Sequence, residues 1–417
     1  MFKYSQRLIV VPLIAASLAL TSCTNGKAPT EAAPESADQH TGHNEHNKGE
    51  HREVSELKPR VVFSHDNGLT TIDPETGDII NEVDRPGFLR LSGAGDGRHV
   101  MVTEGDKLLV FDSGLIDQPH GEHSHYYEET PRLTDVSYDI EKAGHVVPHD
   151  GSTALFSDGT GEVTVVPTDA IADAKASSRT ISTGEAHHGV AIPLADDSLI
   201  HTVGNEDERF TIRQVDARGE TLTETTECPN IHGEAASSEG FAFGCTDGPV
   251  VFRDGEFHKI KSDGYQRNGN LAGAENSPIV LGDNKLDEDA EQEHPTSIAL
   301  IDTEKLEVKE VELGSTYWFR SLGRGPGGEG LVLTNDGNLT VIDEETGDIT
   351  QRIAAIEPWE EKEKWQKPGP ILQVAGEYAY ITDAENRELI VIDLFDNEIV
   401  QRHELDFAPV EMAVATG

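Results

Sequence analysis

The sequence contains 18 histidines, and most of them fall in short clusters whose spacing suits metal binding. Neutral imidazole is a common ligand of zinc, an ion that takes nitrogen, sulfur or oxygen ligands in tetrahedral sites. One group lies in a polar segment near the N-terminus, and another lies in the segment HGEHSH. These groups are His40, His43, His46 and His51, and His120, His123 and His125. Their residue type and density predict zinc binding at both places.

A third group of histidines recurs in three successive repeats, in the motifs GHVVPHDGS, GEAHHGVAIPL and NIHGEAAS. The histidines are His145, His149, His187, His188 and His232. Each motif lies at the start of a repeat. If the repeats are arranged around a central channel, the motifs come together at one opening of that channel, which we call the mouth. We expect the HGEHSH segment, an insertion between repeats, to fold over the same mouth.

Within this third group we expect His145, His188 and His232 to form the central ligand set. The adjacent His187 would point to the opposite face of a strand from His188, so that only one of the two faces a metal. Other side chains nearby could add a ligand or orient a ring. These are His149, Asp150, Glu185 and Glu234.

The ligand types favour zinc over other metals. Calcium prefers carboxylate and carbonyl oxygens, and blue copper requires a cysteine ligand. Copper(II) bound by histidine alone stays an alternative, because its intrinsic affinity exceeds that of zinc.

Residues 1–22 resemble a bacterial lipoprotein signal peptide. Lys3 and Arg7 precede an apolar run at 8–20, which is too short to span a bilayer comfortably. The sequence LTSC then fits a lipobox, so we expect Cys23 to be acylated. The protein would be exported and held by its lipid at the outer face of the cytoplasmic membrane; the alternative is a soluble secreted protein.

We expect residues 23–58 to form a linker that is anchored by the lipid on Cys23. The linker should be disordered, because it contains almost no large apolar side chains. A flexible metal site must be ordered when it closes on an ion, so we expect the histidines of this linker to bind zinc more weakly or to exchange it faster than a preformed site.

We expect residues 59–417 to form a single all-β domain with the architecture of a β-propeller. A short apolar strand that ends in an acidic or polar turn recurs roughly every 46 residues, a spacing typical of propeller blades. LTTIDPETGDII at 69–80 and LTVIDEETGDI at 339–349 are examples, and their period-two alternation is typical of strands. The number of repeats favours eight blades, with seven as the alternative, and we expect the N- and C-terminal strands to close the ring.

Cys228 and Cys245 are the two cysteines that remain once Cys23 is assigned to lipidation. In an exported protein such a pair favours a disulfide over a zinc site built on two cysteines.

The net charge of −44 disfavours nucleic acids and anionic lipid surfaces as partners. We expect no enzymatic activity, because the sequence lacks a GxSxG elbow and a nucleophilic cysteine. A zinc-dependent hydrolase, a protein-binding propeller and a zinc buffer are the alternatives.

The motifs EAHHGVAIPL and CPNIHGEAASSEGFAFGCTDG resemble the AztD-type periplasmic zinc metallochaperones. The resemblance covers about 60–417 and is most specific over 185–248. It implies a β-propeller that binds Zn²⁺ and passes it to the substrate-binding protein of a zinc ABC transporter. A lipid anchor is a departure from a freely diffusing periplasmic chaperone.

For individual residues, the resemblance implies zinc-binding roles for His187, His188 and His232 and for the three histidines of the HGEHSH segment. It also supports a disulfide between Cys228 and Cys245. We expect a monomer, since nothing in the sequence indicates an obligate interface.

Overall fold

The computed structural model describes residues 51–121, 123–290 and 292–417. The predicted signal peptide, the predicted lipidation site Cys23 and the tail residues His40, His43 and His46 lie outside the described residues. Within these ranges no helix has the length and hydropathy that a membrane span requires.

The described residues are almost entirely β-structure. In chain order the first strands are β1 (Arg52–Val54), β2 (Arg60–His65), β3 (Gly68–Ile72), β4 (Ile79–Asp84), β5 (Arg90–Gly93), β6 (His99–Glu104), β7 (Lys107–Asp112), β8 (Leu115–His120), β9 (His123–Glu128), β10 (Arg132–Asp139), β11 (Ala143–His149), β12 (Ser152–Ser157), β13 (Glu162–Pro167), β14 (Arg179–Ser182), β15 (Ala191–Pro193), β16 (Leu199–Gly204), β17 (Arg209–Val215) and β18 (Thr221–Thr225). A single 3₁₀ turn, Thr168–Ala170, follows β13 in this half.

The remaining strands are β19 (Glu234–Ala236), β20 (Phe241–Phe243), β21 (Val250–Arg253), β22 (Glu256–Lys259), β23 (Leu271–Ala272), β24 (Ile279–Asp283), β25 (Ser297–Asp302), β26 (Glu307–Glu312), β27 (Leu322–Arg324), β28 (Gly330–Leu333), β29 (Asn338–Ile342), β30 (Ile349–Ala354), β31 (Leu372–Ala375), β32 (Tyr378–Asp383), β33 (Glu388–Asp393), β34 (Glu398–Glu404) and β35 (Glu411–Ala415).

Across the described part of the chain, these strands form eight four-stranded antiparallel sheets and one three-stranded sheet. The four-stranded sheets have the orders β35-β2-β3-β4, β5-β6-β7-β10, β11-β12-β13-β14, β15-β16-β17-β18, β19-β20-β21-β22, β23-β24-β25-β26, β27-β28-β29-β30 and β31-β32-β33-β34. The three-stranded sheet has the order β1-β9-β8. The expected all-β class is therefore confirmed.

The burial of each sheet follows its sequence pattern. Central strands such as β2, with the sequence RVVFSH, are buried at every position, whereas the outer strand β34 alternates between exposed and half-buried residues. The apolar clusters lie between sheets that follow each other in the chain: Val190 and Ile200 of one sheet pack with Phe241 and Phe243 of the next. Each sheet is therefore held by its neighbours on both faces.

The acidic turn motifs form the hairpin turns that the sequence predicts. Asp73 Oδ1 accepts hydrogen bonds from the backbone N–H groups of Glu75 at 2.8 Å and Thr76 at 3.3 Å, and Gly77 adopts a φ of +78°. Only glycine adopts that conformation without strain, which explains the Thr-Gly-Asp ending of the repeat.

The direction of the strands places the β8–β9 hairpin at one end of the sheets. The expected mouth lies at the other end, where the first strands of the sheets, such as β5, β11 and β15, begin. In the sheet β5-β6-β7-β10 the strands are antiparallel, so β7 runs in the direction of β5 and ends where β5 ends. The hairpin begins at Leu115, directly after β7, and therefore leaves from the end opposite to the start of β5. The expectation that the HGEHSH segment folds over the mouth is wrong. The segment follows β7, the third strand of its sheet, and β7 ends at the opposite end of the sheet from the mouth.

Candidate metal centre

Three successive sheets each contribute one histidine to a single cluster. His145 lies near the start of β11, and His188 and His232 lie just before β15 and β19. Each of the three residues offers a ligand atom, and these atoms all lie within 4.8 Å of one another. We call this cluster, His145, His188 and His232, the mouth site.

Two of the three rings of the mouth site are oriented by a hydrogen bond from Nδ1, and the third has a carboxylate nearby. His188 Nδ1 donates to Asp158 Oδ2 at 2.6 Å, and His232 Nδ1 donates to the backbone oxygen of Gly269 at 2.6 Å. His145 Nδ1 lies 3.3 Å from Glu234 Oε2. With Nδ1 protonated in His188 and His232, Nε2 is the free ligand atom of these two rings, as in metal sites whose histidines are held by carboxylates or carbonyls.

The local backbone allows these contacts because two glycines permit close approach. A Cβ on Gly144 would lie 2.2 Å from Asp158 Oδ1, so only glycine leaves room for this carboxylate beside β11. Gly233, with a φ of +78°, follows His232 and would bring a Cβ within 2.4 Å of the oxygen of Gly269. The pairing of β11 with β12 also shifts register between Ala143 and Val146, around His145.

The protein environment keeps His232 neutral. The pKa of His232 is lowered to about 3, mainly by burial of its ring and also by the neighbouring His145, His188 and Arg267, while the hydrogen bond to Gly269 opposes this shift. A neutral imidazole is the form that binds zinc, so protons compete little for this ligand near neutral pH.

The mouth site borders a pocket of about 590 Å³. Besides the three histidines, its lining includes Arg90, Glu234, Arg267, Lys285, Phe319 and Trp365. An ion at the mouth site would thus have protein nitrogens on one side and an open pocket on the other, which is the arrangement of zinc sites that keep an exchangeable position.

A second histidine cluster lies at the tip of the β8–β9 hairpin. His120 pairs directly with His123 across the hairpin, and His125 lies two residues further along β9, so all three side chains share one face. Their ligand atoms lie within 4.8 Å of one another, and His120 and His123 are exposed. We call this cluster, His120, His123 and His125, the hairpin site.

The start of the described chain packs against this hairpin. β1 pairs with β9, and Glu53 Oε1 lies 3.1 Å from His125 Nδ1. His51 stacks on Tyr127 with ring centroids 4.4 Å apart, and its Nδ1 lies 3.1 Å from Glu129 Oε1. His51 is thus placed beside the base of the hairpin and outside both clusters.

The structure does not bring every predicted residue into the mouth site. His187 is buried; its Nδ1 donates to the oxygen of Glu185 at 2.9 Å, and its Nε2 accepts from Thr202 Oγ1 at 3.0 Å. Both ring nitrogens of His187 are therefore occupied, as expected for a neighbour that points away from His188. The side chain of Glu185 is exposed, and the cluster does not include it.

His149 lies at the far end of β11 from His145. Its Nδ1 donates to the oxygen of Pro193 at 2.9 Å and lies 3.2 Å from Asp150 Oδ2. A β-strand rises about 3.3 Å per residue, so four residues separate His149 from the mouth site by more than a ligand bond can span. His149 and Asp150 thus bind each other and a neighbouring loop.

Sequence reasoning missed Asp158 and the cationic and aromatic side chains of the pocket. Asp158 stands in the turn SDGTG, which resembles the other acidic turns of the repeats. Its role depends on Gly144 and His188, which only the folded chain brings to it.

Replacing Asp158 with asparagine should weaken zinc binding at the mouth site by about 10–100-fold, the usual effect of removing a carboxylate that orients a metal-binding histidine. Asparagine has nearly the same shape, so Gly144 and β11 keep their packing. Zinc affinity measured against a competing chelator checks this, with Asp139→Asn, an exposed aspartate paired with Lys107, as the control. Equal affinities for the two variants would contradict the role of Asp158.

Acid should destabilise the metal-free protein partly through His201. Burial lowers the pKa of this β16 residue to about 4, whereas the unfolded chain titrates near 6.5. Between these values the unfolded state binds a proton that the folded state does not, so the free energy of unfolding falls as pH falls, by up to about 3 kcal/mol. Melting temperatures from pH 7.5 to 4.5 should fall less for His201→Gln than for the exposed control His294→Gln. Equal slopes would contradict the prediction.

Over most of its length the chain is similar to a known zinc chaperone. No protein-family model matches the sequence. The chain is 25% identical over 349 residues to the zinc chaperone AztD of Citrobacter koseri, covering 80% of each protein.

Solved structures show the same fold. The crystal structure of Citrobacter koseri AztD superposes with a TM-score of 0.76 at 22% identity, covering 87% of this chain and 99% of that one. Its apo form gives a TM-score of 0.73 at 21% identity, covering 87% and 98%. The dihydro-heme d1 dehydrogenase NirN gives 0.55 at 15% identity, covering 85% and 74%. The resemblance to AztD-type zinc chaperones is therefore confirmed: this chain is a homologue of the zinc chaperone AztD and has an AztD-like fold.

Proposed function

We propose that the protein is a zinc chaperone of the cell envelope that carries Zn²⁺ at the mouth site and hands it to the substrate-binding protein of a zinc ABC transporter. One observation carries this proposal: three imidazoles converge from three sheets beside an open pocket, and two of them are held by hydrogen bonds at Nδ1. The relation to a zinc chaperone supports the choice of metal and of cargo role.

The scaffold of this site is, in our proposal, an eight-bladed β-propeller. Eight four-stranded sheets follow one another among the described residues, and the first strands of neighbouring sheets contact each other from β5 to β11 and β15 and from β19 through β23, β27 and β31 to β35. β35 contacts β5, and pairs with β2. The sheets that begin with β15 and β19 are joined by a contact between β18 and β22 and by the apolar cluster that contains Ile200 and Phe243. With this link the eight sheets form a cycle, which supports a closed ring of eight blades over one of seven.

The proposed transfer is ligand exchange. Three neutral nitrogen ligands leave one position of a tetrahedral zinc ion toward the pocket. A ligand of the acceptor can enter there and form a shared coordination sphere before the histidines release the ion. Zinc then moves between proteins without entering solvent, and no covalent bond of either protein changes.

The hairpin site would serve a different step. Two of its three rings are exposed, and it lies at the end of the sheets opposite to the mouth site, so the two clusters cannot share one ion. We propose that the hairpin site and the histidines of the N-terminal linker capture zinc from solution. Export, acylation at Cys23 and a monomeric state complete this proposal.

A zinc-dependent hydrolase is the second candidate, because Glu234 lies in the pocket beside the position that a zinc-bound water would take. Its contact with His145 Nδ1 favours an orienting role over that of a general base. Turnover of ester, lactone or phosphate substrates by zinc-loaded protein would favour the hydrolase.

The decisive experiment mixes zinc-loaded mature protein with the metal-free substrate-binding protein of a zinc transporter from the same organism. Direct transfer should speed the loss of zinc in proportion to the acceptor concentration. A small chelator in place of the acceptor is the control, since it captures only zinc that has dissociated. A rate independent of acceptor concentration and equal to the chelator rate would refute transfer by ligand exchange.

A further inference from the structure

The pocket beside the mouth site is lined by basic side chains, although the chain as a whole carries a net charge of −44. Arg90, Arg267 and Lys285 line it together with the three histidines. Cations next to a cation-binding site oppose the binding of Zn²⁺. Such a cluster therefore requires a reason other than metal binding.

Two of these cations have no ion-pair partner among the described residues: no carboxylate oxygen of that part of the chain lies within 4.0 Å of Arg90 or Arg267. The third, Lys285, has its Nζ 3.7 Å from Asp283 Oδ2. Asp283 is buried and also accepts hydrogen bonds from the backbone and side chain of Asn270. The pocket thus keeps an excess of positive charge.

The backbone places two of the cations directly opposite each other. Arg267 and Lys285 form an antiparallel bridge, with Arg267 N donating to Lys285 O at 2.9 Å and Lys285 N donating to Arg267 O at 3.0 Å. Like charges directly opposite each other across such a bridge repel and destabilise it. Arg267 Nε is also buried without a hydrogen-bond acceptor among the described residues. An anion between these groups would relieve both costs.

Arg267 lies next to the mouth site. A Cβ built on Gly269 would lie 3.1 Å from Arg267 Nε and 3.5 Å from His232 Nδ1, so the guanidinium and the imidazole border the same glycine. An anion bound to Arg267 is thereby close enough for a second anionic group of the same ligand to reach an ion on His232.

Two aromatic residues, Phe319 and Trp365, also line the pocket. Arg320 Cζ lies 4.6 Å from the ring centroid of Phe319 and 5.8 Å from that of Trp365, and Arg90 Cζ lies 5.8 Å from that of Trp365. Contacts between guanidinium groups and aromatic faces hold Arg90 and Arg320 in place.

The carboxylates at the mouth site do not cancel this charge when zinc is bound. Asp158 and Glu234 together balance the two charges of one Zn²⁺ ion, and Asp283 balances Lys285. Glu411 interacts electrostatically with Arg90, and Glu293 and Glu361 line a neighbouring pocket together with Arg267. None of the described carboxylates forms an ion pair with Arg90 or Arg267, so both can pair with an anion in the pocket. A ligand with at least two negatively charged groups would therefore match the charges of this pocket.

We propose that this pocket binds a ligand with two or three carboxylates, one of which completes the coordination of zinc while another pairs with Arg267 and Arg90. Planar guanidinium groups bind carboxylates through paired hydrogen bonds. The metal contact rests on the proposed function, whereas the pairing with arginine does not require zinc. The ligand is either a free small polycarboxylate or a run of Asp and Glu side chains on a protein, since both present the same groups.

Calorimetric titration of the mature full-length protein tests this proposal with two probes, tricarballylate and a hexaglutamate peptide. Each is titrated into zinc-loaded and metal-free protein at constant ionic strength. We expect binding to both forms and tighter binding to the zinc-loaded one. Tighter binding of tricarballylate would indicate a small-molecule source, and tighter binding of the peptide would indicate a protein source.

The double variant Arg90→Gln/Arg267→Gln should weaken binding of either probe by about tenfold or more, because charge-assisted hydrogen bonds are lost. Its zinc affinity without a probe should be retained or rise, since two repelling cations are gone. The control is Arg218→Gln, which removes an exposed charge elsewhere. Each single variant is also titrated in case the double variant folds poorly.

Absence of binding by both probes, or equal binding by the wild type and the double variant, would overturn the proposal. Failure of the proposed zinc function has a different signature: no zinc at the mouth site, but carboxylate binding that still depends on Arg90 and Arg267.

Discussion

Replacing His188 and His232 together with alanine will lower zinc affinity at the mouth site by about four orders of magnitude. Structural zinc sites contribute ~10–16 kcal/mol through four ligands, so each ligand is worth ~3 kcal/mol, or about a hundredfold. The fold should persist, because both residues precede strands that are held by their own apolar clusters.

Competition with a chelator of known affinity measures this effect, and elemental analysis counts the ions that stay bound. His149→Ala is the matched control, since that ring lies in the same strand as His145 but outside the cluster. The triple variant of His120, His123 and His125 should lose only the weaker ion at the hairpin site. The assignment of the mouth site would be wrong if the double variant kept wild-type affinity while the triple variant lost tight zinc.

Removing the disulfide will have the second large effect, a loss of about 3 kcal/mol in the free energy of unfolding. Cys228 and Cys245 are bonded to each other and lie 17 residues apart, a loop length for which the entropy of the unfolded chain predicts that value. Both residues are buried in the apolar cluster between two sheets, so alanine replaces them with little other change.

The same disulfide holds the segment that carries His232. Within this loop His232 N donates to Gly244 O at 3.0 Å, and Thr246 N donates to Pro229 O at 3.0 Å. We therefore expect zinc affinity to fall in the Cys228→Ala/Cys245→Ala variant, but by far less than in the double histidine variant. Thermal unfolding with and without a reductant measures the stability. A reductant that lowers the melting temperature of the wild type and the variant equally would contradict the assignment.

The sequence predicts the all-β class and the recurrence of strands well, because period-two alternation and the acidic turns are local properties. It also predicts the convergence of His145, His188 and His232 for a reason that depends on repetition: equivalent positions of successive repeats meet at one end. The disulfide followed from the cysteine count, and it is present.

Other parts of the site depend on tertiary packing and have no local signal. Asp158 reaches His188 only because Gly144 leaves space beside it, and Gly269 reaches His232 from a later sheet. Arg267 and Lys285 come together across an isolated bridge that no repeat pattern marks. The position of the HGEHSH segment depends on the direction in which β7 runs, and the expectation for that segment did not consider this direction.

The pairing of β2 with β35 has a consequence for the order of events during synthesis. Arg60 pairs with Ala415, so the first four-stranded sheet is completed by a strand from the far end of the chain. Until β35 has emerged, β2 presents an unpaired edge that can add strands from other molecules. Closing so long a loop is also slow. Newly synthesised chains are thus at risk of aggregation until the last strand arrives, and a nascent chain truncated before 411 should be cleared by proteases rather than accumulate as a zinc-binding fragment.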